Sequence, residues 1–152
     1  MSNFRNQIVV IGARESTKKL DEIAYEVGIE IAKNNCILIC GGREGIMEAA
    51  CKGAKKYGGT TIGIMPEKTT EKANKYLDII IPTGIGFARN YIVQNSGSAV
   101  IMIGGSYGTL SELAYALQFG KKVVSLKSQW AKIDKKIIIA TNAKDAVLKA
   151  IS

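Results

Sequence analysis

Two stretches of this 152-residue chain place glycines where a strand-like apolar run meets the start of a helix. The first is Cys40-Gly41-Gly42-Arg43-Glu44-Gly45-Ile46. The second is Ile103-Gly104-Gly105-Ser106-Tyr107-Gly108-Thr109-Leu110-Ser111-Glu112. Glycine lets the main chain approach a ligand closely and adopt positive φ. A helix opening at such a point presents free N–H groups and the positive end of its dipole to an anion. One junction of this kind is equally well explained as an ordinary turn. Two in one short chain, each after an apolar run, point to a bound phosphate, and Gly12 at the end of the first apolar run joins the set. Neither junction carries the lysine of a P-loop, and no clean G-x-G-x-x-G follows the first run, which disfavours ATP hydrolysis and NAD binding.

The arginines sharpen this reading. The chain has only Arg5, Arg14, Arg43 and Arg89 among its 21 basic residues, the rest being lysine. Arg14, Arg43 and Arg89 each follow a strand-like run. The planar guanidinium suits a phosphate bidentately, whereas lysine acts as a point charge. The expectation is that at least one of the three meets ligand phosphate, the alternative being helix capping or pairing with Glu15 and Glu44. Thr109 offers a hydroxyl and an N–H to a phosphate, and Tyr107 either covers the ligand or is a surface tyrosine. Glu112 falls in the first turn of its helix. It either complements the dipole there or bonds a ribose and stabilises charge developing at a glycosidic carbon.

Composition limits the chemistry. The chain has no histidine, which removes Ser-His and Cys-His nucleophiles and a histidine base. Cys36, Cys40 and Cys51 lie in apolar stretches without zinc spacing, so they read as core, and no metal site is expected. The net charge of +8 comes mainly from scattered lysines and contains no basic block, so a solvated surface explains most of it. The apolar runs are far too short for a membrane span, and the N-terminus lacks a signal-peptide pattern, which makes a cytoplasmic protein the expectation.

The elements that must position these residues alternate regularly. Strands are expected at 7–12, 36–40, 60–64, 78–81, 99–103, 123–126 and 137–140. Helices are expected at roughly 17–34, from Gly45 to Tyr57, and at 87–96, 109–119 and 143–151. Thr17 and Asn142 are candidate caps, and Gly120 suits a helix end. Residues 66–76 read as a lysine-rich loop, and 127–136 has no clear pattern. Continuous apolar strands alternating with helices imply a single α/β, doubly wound (Rossmann-like) domain over 1–152. Its parallel sheet of six or seven strands would be covered by helices on both faces. Ligands in such folds bind beyond the carboxyl ends of the strands.

Three motifs together resemble the Lonely guy-like superfamily. They are Gly-Gly-x-x-Gly-Ile-Met after the second strand, Ala88-Arg89-Asn90 before a helix, and Gly-Gly-Ser-Tyr-Gly-Thr-Leu-Ser-Glu after the fifth. The resemblance spans about residues 7–150, and Ala114–Val123 extends it. That group is often labelled lysine decarboxylase, although nothing here supports a pyridoxal phosphate site. It includes cytokinin-activating nucleoside 5′-monophosphate phosphoribohydrolases and molybdenum cofactor carrier proteins. The hydrolases carry P-G-G-x-G-T-x-x-E and an Arg-Lys pair. By the resemblance Arg89 and Glu112 take the catalytic places. Ile103 stands where they have proline, one extra residue separates Gly105 from Gly108, and Asn90 replaces the lysine, so the pattern lies closer to the carrier-like branch.

The resulting expectation is a carrier-like protein for a phosphorylated nucleotide or pterin-type cofactor, such as a nucleoside monophosphate or a molybdopterin-type ligand, none bound covalently. It would be held by Gly12, Arg14, Gly41, Gly42, Arg43, Gly45 and Gly104 to Thr109. The alternative is an N-glycosidase using Arg89 and Glu112. Nucleic-acid binding ranks third, resting mainly on charge. The resemblance also implies a homo-oligomer, dimer or tetramer. The apolar Tyr91-Ile92-Val93 run fits either an interface or the core.

Overall fold

The computed structural model describes residues 4–152. Seven strands form one sheet: β1 (Gln7–Gly12), β2 (Ile37–Cys40), β3 (Thr60–Met65), β4 (Ile79–Pro82), β5 (Ala99–Ile103), β6 (Lys122–Leu126) and β7 (Ile138–Ile139). Every neighbouring pair is parallel. The spatial order is β4-β3-β2-β1-β5-β6-β7, so strand order reverses between β1 and β5.

Five helices cover the sheet: α1 (Lys18–Lys33), α2 (Ile46–Lys56), α3 (Arg89–Asn95), α4 (Tyr107–Gln118) and α5 (Ala143–Ile151). Thr17 caps α1 by accepting from Leu20 N at 3.2 Å, and Asn142 caps α5 by accepting from Asp145 N at 2.9 Å. Gly120 follows α4 with φ +69°, as its place in the sequence suggests. The apolar periodicity of α1 and α2 buries Ala24, Val27 and Ile31 against Ala50 and Ala54, with α5 packed alongside on the same face. On the other face, α3 and α4 bring Val93, Leu113 and Ala116 down onto Val9, Ile39, Val100 and Met102. The central strands β1 and β5 are almost wholly buried, as continuous apolar runs covered on two sides must be.

Boundaries shift by a residue or two from the sequence reading. A short 3-10 turn (Gly86–Ala88) leads into α3, α4 starts two residues early, and β7 is only Ile138–Ile139. Residues 66–76 form turns tied down by Asn74, whose Nδ2 donates to the Arg43 carbonyl at 3.1 Å. Cys36, Cys40 and Cys51 are buried free thiols in the core.

Candidate functional site

Because the sheet is parallel, the loops after β1, β2, β4 and β5 all emerge at its carboxyl edge. A cleft of about 590 Å³ opens there, at the β1–β5 reversal. Its walls are Gly12 to Glu15 after β1, Glu44 and Met47 at the start of α2, Phe87, Arg89 and Asn90 around the start of α3, and Gly105 to Thr109 with Glu112 on α4. A larger groove of about 720 Å³ lies between α1 and α2. It sets Asp21, Glu22, Glu26 and Glu48 against Lys52 alone, the wrong charge balance for a phosphate.

The two glycine junctions differ in what they do. At the second, Gly105 has φ +142°, and a Cβ there would lie 3.0 Å from Thr109 Cγ2 and 3.1 Å from Trp130 Cδ1. Only glycine lets the main chain pass under both. No side chain caps α4, and the first of its N–H groups to find a main-chain acceptor is that of Leu110, which donates to the Ser106 carbonyl. The N–H groups ahead of it are therefore open to an anion. At the first junction the main chain is already engaged. Ile46 N donates to the Ala13 carbonyl at 3.1 Å. A Cβ on Gly45 would lie 2.3 Å from the Arg14 carbonyl oxygen, so this glycine seats α2 against the β1 loop. Gly41, Gly42, Arg43, Gly45 and Gly104 do not line the cleft.

The three arginines share the carboxyl edge but have different partners. Arg14 forks onto Glu44 Oε1, with Nε at 2.8 Å and Nη2 at 2.6 Å. Arg43 is buried and turned away from the cleft, with Nη1 on Glu67 Oε1 and Nε 3.4 Å from Glu44 Oε2. Arg89 is buried and acts as a strut. Its Nη1 donates to the carbonyls of Gly41 at 2.6 Å and Ile64 at 2.8 Å, tying α3 to the ends of β2 and β3. Burial lowers its pKa from the ordinary guanidinium value, and the nearby Glu112 charge counters this.

Glu112 is 7% exposed. Burial pushes its carboxyl up to about 8, against the opposing pull of Arg89, and no hydrogen bond offsets the desolvation. The pairing of Glu112 with Arg89 is thus through space and not a direct ion pair. With Glu15 and Glu44 lining it beside Arg14 and Arg89, the cleft is not strongly electropositive. An anion entering the cleft would face the open α4 N–H groups and an Arg14 already held by Glu44.

Three further polar atoms are buried without partners on residues that line the cleft: Arg89 Nε, Asn90 Oδ1 and Thr109 Oγ1. Asn90 is oriented by its Nδ2, which donates to Ser111 Oγ at 3.1 Å, while Ser111 Oγ donates to the Gly108 carbonyl at 2.7 Å. Sequence reasoning did not single out Asn90, Phe87, Glu15, Glu44 or Trp130 as site residues. Asn90 had a signal, being next to Arg89 at a helix start. Trp130 lies in the 127–136 segment, whose turns carry no periodicity to place it. Among the described residues no group of three or more His, Cys, Asp or Glu side chains is placed to hold a metal, and no helix is long and apolar enough to cross a membrane.

A parallel, doubly wound sheet with a polar cleft at its strand-order reversal defines a Rossmann-like ligand-binding domain. The chain belongs to the SLOG cluster4 family, whose model matches residues 5–152. Its structure is similar to that of the molybdenum cofactor binding protein from Rippkaea orientalis, with TM-score 0.93, 37% identity and 99% of each chain covered. A protein of Archaeoglobus fulgidus without an assigned function is 50% identical over 121 residues, which is 80% of either chain. The cytokinin riboside 5′-monophosphate phosphoribohydrolase of Mycobacterium tuberculosis is 33% identical over 108 residues. That match takes in 69% of this chain and 58% of the mycobacterial one. DNA processing protein A of Streptococcus pneumoniae, at 22% identity and TM-score 0.76, covers 95% of this chain and 61% of its own, and shares the fold alone. These matches agree with the family resemblance read from the glycine motifs.

Proposed function

We propose that this protein is a carrier-like binder of a phosphorylated small molecule of the nucleotide or pterin-cofactor type, with the phosphate at the start of α4. The observation that carries this reading is the set of buried, unpartnered polar atoms on cleft residues: Arg89 Nε, Asn90 Oδ1 and Thr109 Oγ1. Buried polar atoms nearly always have a partner. Each one left without costs about 1–3 kcal/mol. A ligand with phosphate oxygens and hydroxyls meets all three beside an uncapped helix start. Tyr107 and Phe87, 85% and 78% exposed, stand at the mouth and offer ring faces to a planar heterocycle. Gly12 and Arg14 complete the phosphate side. The likeness to a molybdenum cofactor binding protein supports a pterin-type ligand.

The test is calorimetric titration of the chain with nucleoside 5′-monophosphates and with molybdopterin. The expected result is saturable binding to at least one of them, weakened at least tenfold by Thr109→Val. No binding by any member of the panel would overturn the reading.

One observation favours a second reading, N-glycosidic hydrolysis of a nucleoside monophosphate. Glu112 lies in the same cleft as Arg89 and keeps its proton up to about 8. A neutral carboxylic acid near pH 7 can deliver a proton to a leaving base. Release of free base from a monophosphate, abolished by Glu112→Gln, moves the assignment to the hydrolase. Binding without release keeps it with the carrier.

A further inference from the structure

Two of the three cysteines meet inside the fold. Cys40 closes β2, Cys51 lies midway along α2, and their sulfurs stand 3.6 Å apart. Both residues are wholly buried and both thiols are free. Cys36 is buried as well, but its sulfur faces the Asn34 carbonyl at 3.5 Å. Core packing accounts for the burial of all three. The contact between two of them adds chemistry that burial alone does not bring.

The surroundings divide the pair into a nucleophile and a partner. The thiolate, not the thiol, attacks an oxidant. Contact with Cys51 draws the Cys40 thiol below its ordinary range against the pull of desolvation, and the Gly42 N–H, donating to Cys40 Sγ at 3.3 Å, and the Arg89 charge add to this. The same contact, with burial, pushes Cys51 the other way.

We propose that Cys40 and Cys51 are a modification site, closed into a reversible disulfide by a small hydroperoxide. A disulfide needs its sulfurs about 2.05 Å apart, so each must move by less than about 1 Å. A swing of roughly 30° about each Cα–Cβ bond achieves this within reach of a rotamer well. The Cys40 thiolate attacks one oxygen of hydrogen peroxide. An S–O bond forms, the O–O bond breaks, and hydroxide leaves, taking the Cys40 proton as water. The Cys51 sulfur then attacks the sulfenic sulfur. The S–S bond forms, the S–O bond breaks, and a second water carries off the Cys51 proton. The peroxide gains two electrons, one from each sulfur. Full burial shuts out a bulky oxidant such as glutathione disulfide. Hydrogen peroxide is little larger than water and enters through local openings of the fold.

The bond would enclose residues 41–50. That ring holds the whole first glycine junction, with Glu44 and Met47 on the cleft wall and the Gly41 carbonyl to which Arg89 donates. Oxidation thus clamps α2 to the end of β2 without consuming a side chain that lines the cleft. The inference does not depend on which ligand the cleft takes.

Alkylation in denaturant, followed by mass spectrometry and peptide mapping of the full chain, tests it. The reduced protein should take three alkyl groups, one for each cysteine. After hydrogen peroxide, folded protein should take one, on Cys36, and yield a peptide pair joined through Cys40 and Cys51. Dithiothreitol should restore all three. Closing a ring of this length should raise the melting temperature by about 5–10 °C, reversed by the same reductant. In Cys51→Ala the sulfenic acid has no partner, so dimedone should label Cys40. If that variant fails to fold, the wild-type map decides alone. Three free thiols after peroxide overturn the proposal. So does a bond that includes Cys36 or joins two chains, or a bond that forms only in denaturant. An oxidised form that melts lower than the reduced one overturns the clamp.

Discussion

Replacing Glu112 with glutamine should change how stability depends on pH, and the size of the change can be worked out. The carboxyl has an ordinary pKa of 4.5 and is pushed to about 8 by burial in the fold. Its folded-state pKa is the higher one, so the native protein holds the proton more tightly than the unfolded chain. The stability from this group is complete below the unfolded pKa and is lost as pH rises towards the folded one. Each tenfold fall in proton activity across that interval removes about 1.36 kcal/mol. Between about pH 5 and about pH 8.5 the loss comes to about 3–4 kcal/mol. Glutamine fills nearly the same space and does not titrate, so the variant lacks this term. The assay is thermal unfolding of both proteins at the two pH values. For a domain of this size about 1 kcal/mol corresponds to roughly 2–4 °C. The variant should therefore gain about 10 °C on the wild type between the acid and alkaline measurements. Melting temperatures that move in parallel across the range would show that Glu112 is not held protonated and would refute the argument from its burial.

Other substitutions probe the cleft separately. Arg89→Ala removes two charge-assisted bonds to the Gly41 and Ile64 carbonyls and should cost about 3–5 kcal/mol in urea unfolding. Gly105→Ala places a methyl group against Thr109 and Trp130 at φ +142°. It should destabilise by about 1–3 kcal/mol and weaken monophosphate binding in calorimetry at least tenfold. Glu44→Gln releases Arg14 from a half-exposed ion pair contributing about 1 kcal/mol or less. Binding of a phosphate-bearing ligand should tighten by up to about fivefold while the melting temperature falls by no more than about 4 °C.

Much of this fold could be read in the residues. The apolar strands, the Thr17 and Asn142 caps and Gly120 place every element to within two residues, because each is a local signal. The carboxyl-edge location of Arg14, Arg43 and Arg89 follows from parallel strands alone. Their different partners do not follow. Arg43 turns to Glu67, 24 residues further along the chain, and Arg89 reaches carbonyls at the ends of two strands that precede it. Such contacts depend on how loops cross in space. The two glycine junctions look equivalent in sequence, yet α2 donates its first N–H to the Ala13 carbonyl whereas α4 leaves its own open. Trp130 was illegible for another reason: its segment has no periodicity, and its position beside Gly105 comes from the return of the chain after β6. Tyr91-Ile92-Val93 divides, with Val93 in the core and its two neighbours at the surface.

The strut made by Arg89 also limits how a cleft of this design can change over evolutionary time. Its guanidinium is bolted to two strand ends, so the floor of the cleft is held by the sheet itself. A new specificity cannot be obtained by moving that floor without loosening the sheet. Diversification is pushed outward to the half-exposed rim, where Arg14, Glu44, Phe87 and Tyr107 can be exchanged at little structural risk. Relatives that bind different molecules should then share the buried arginine and differ around the mouth.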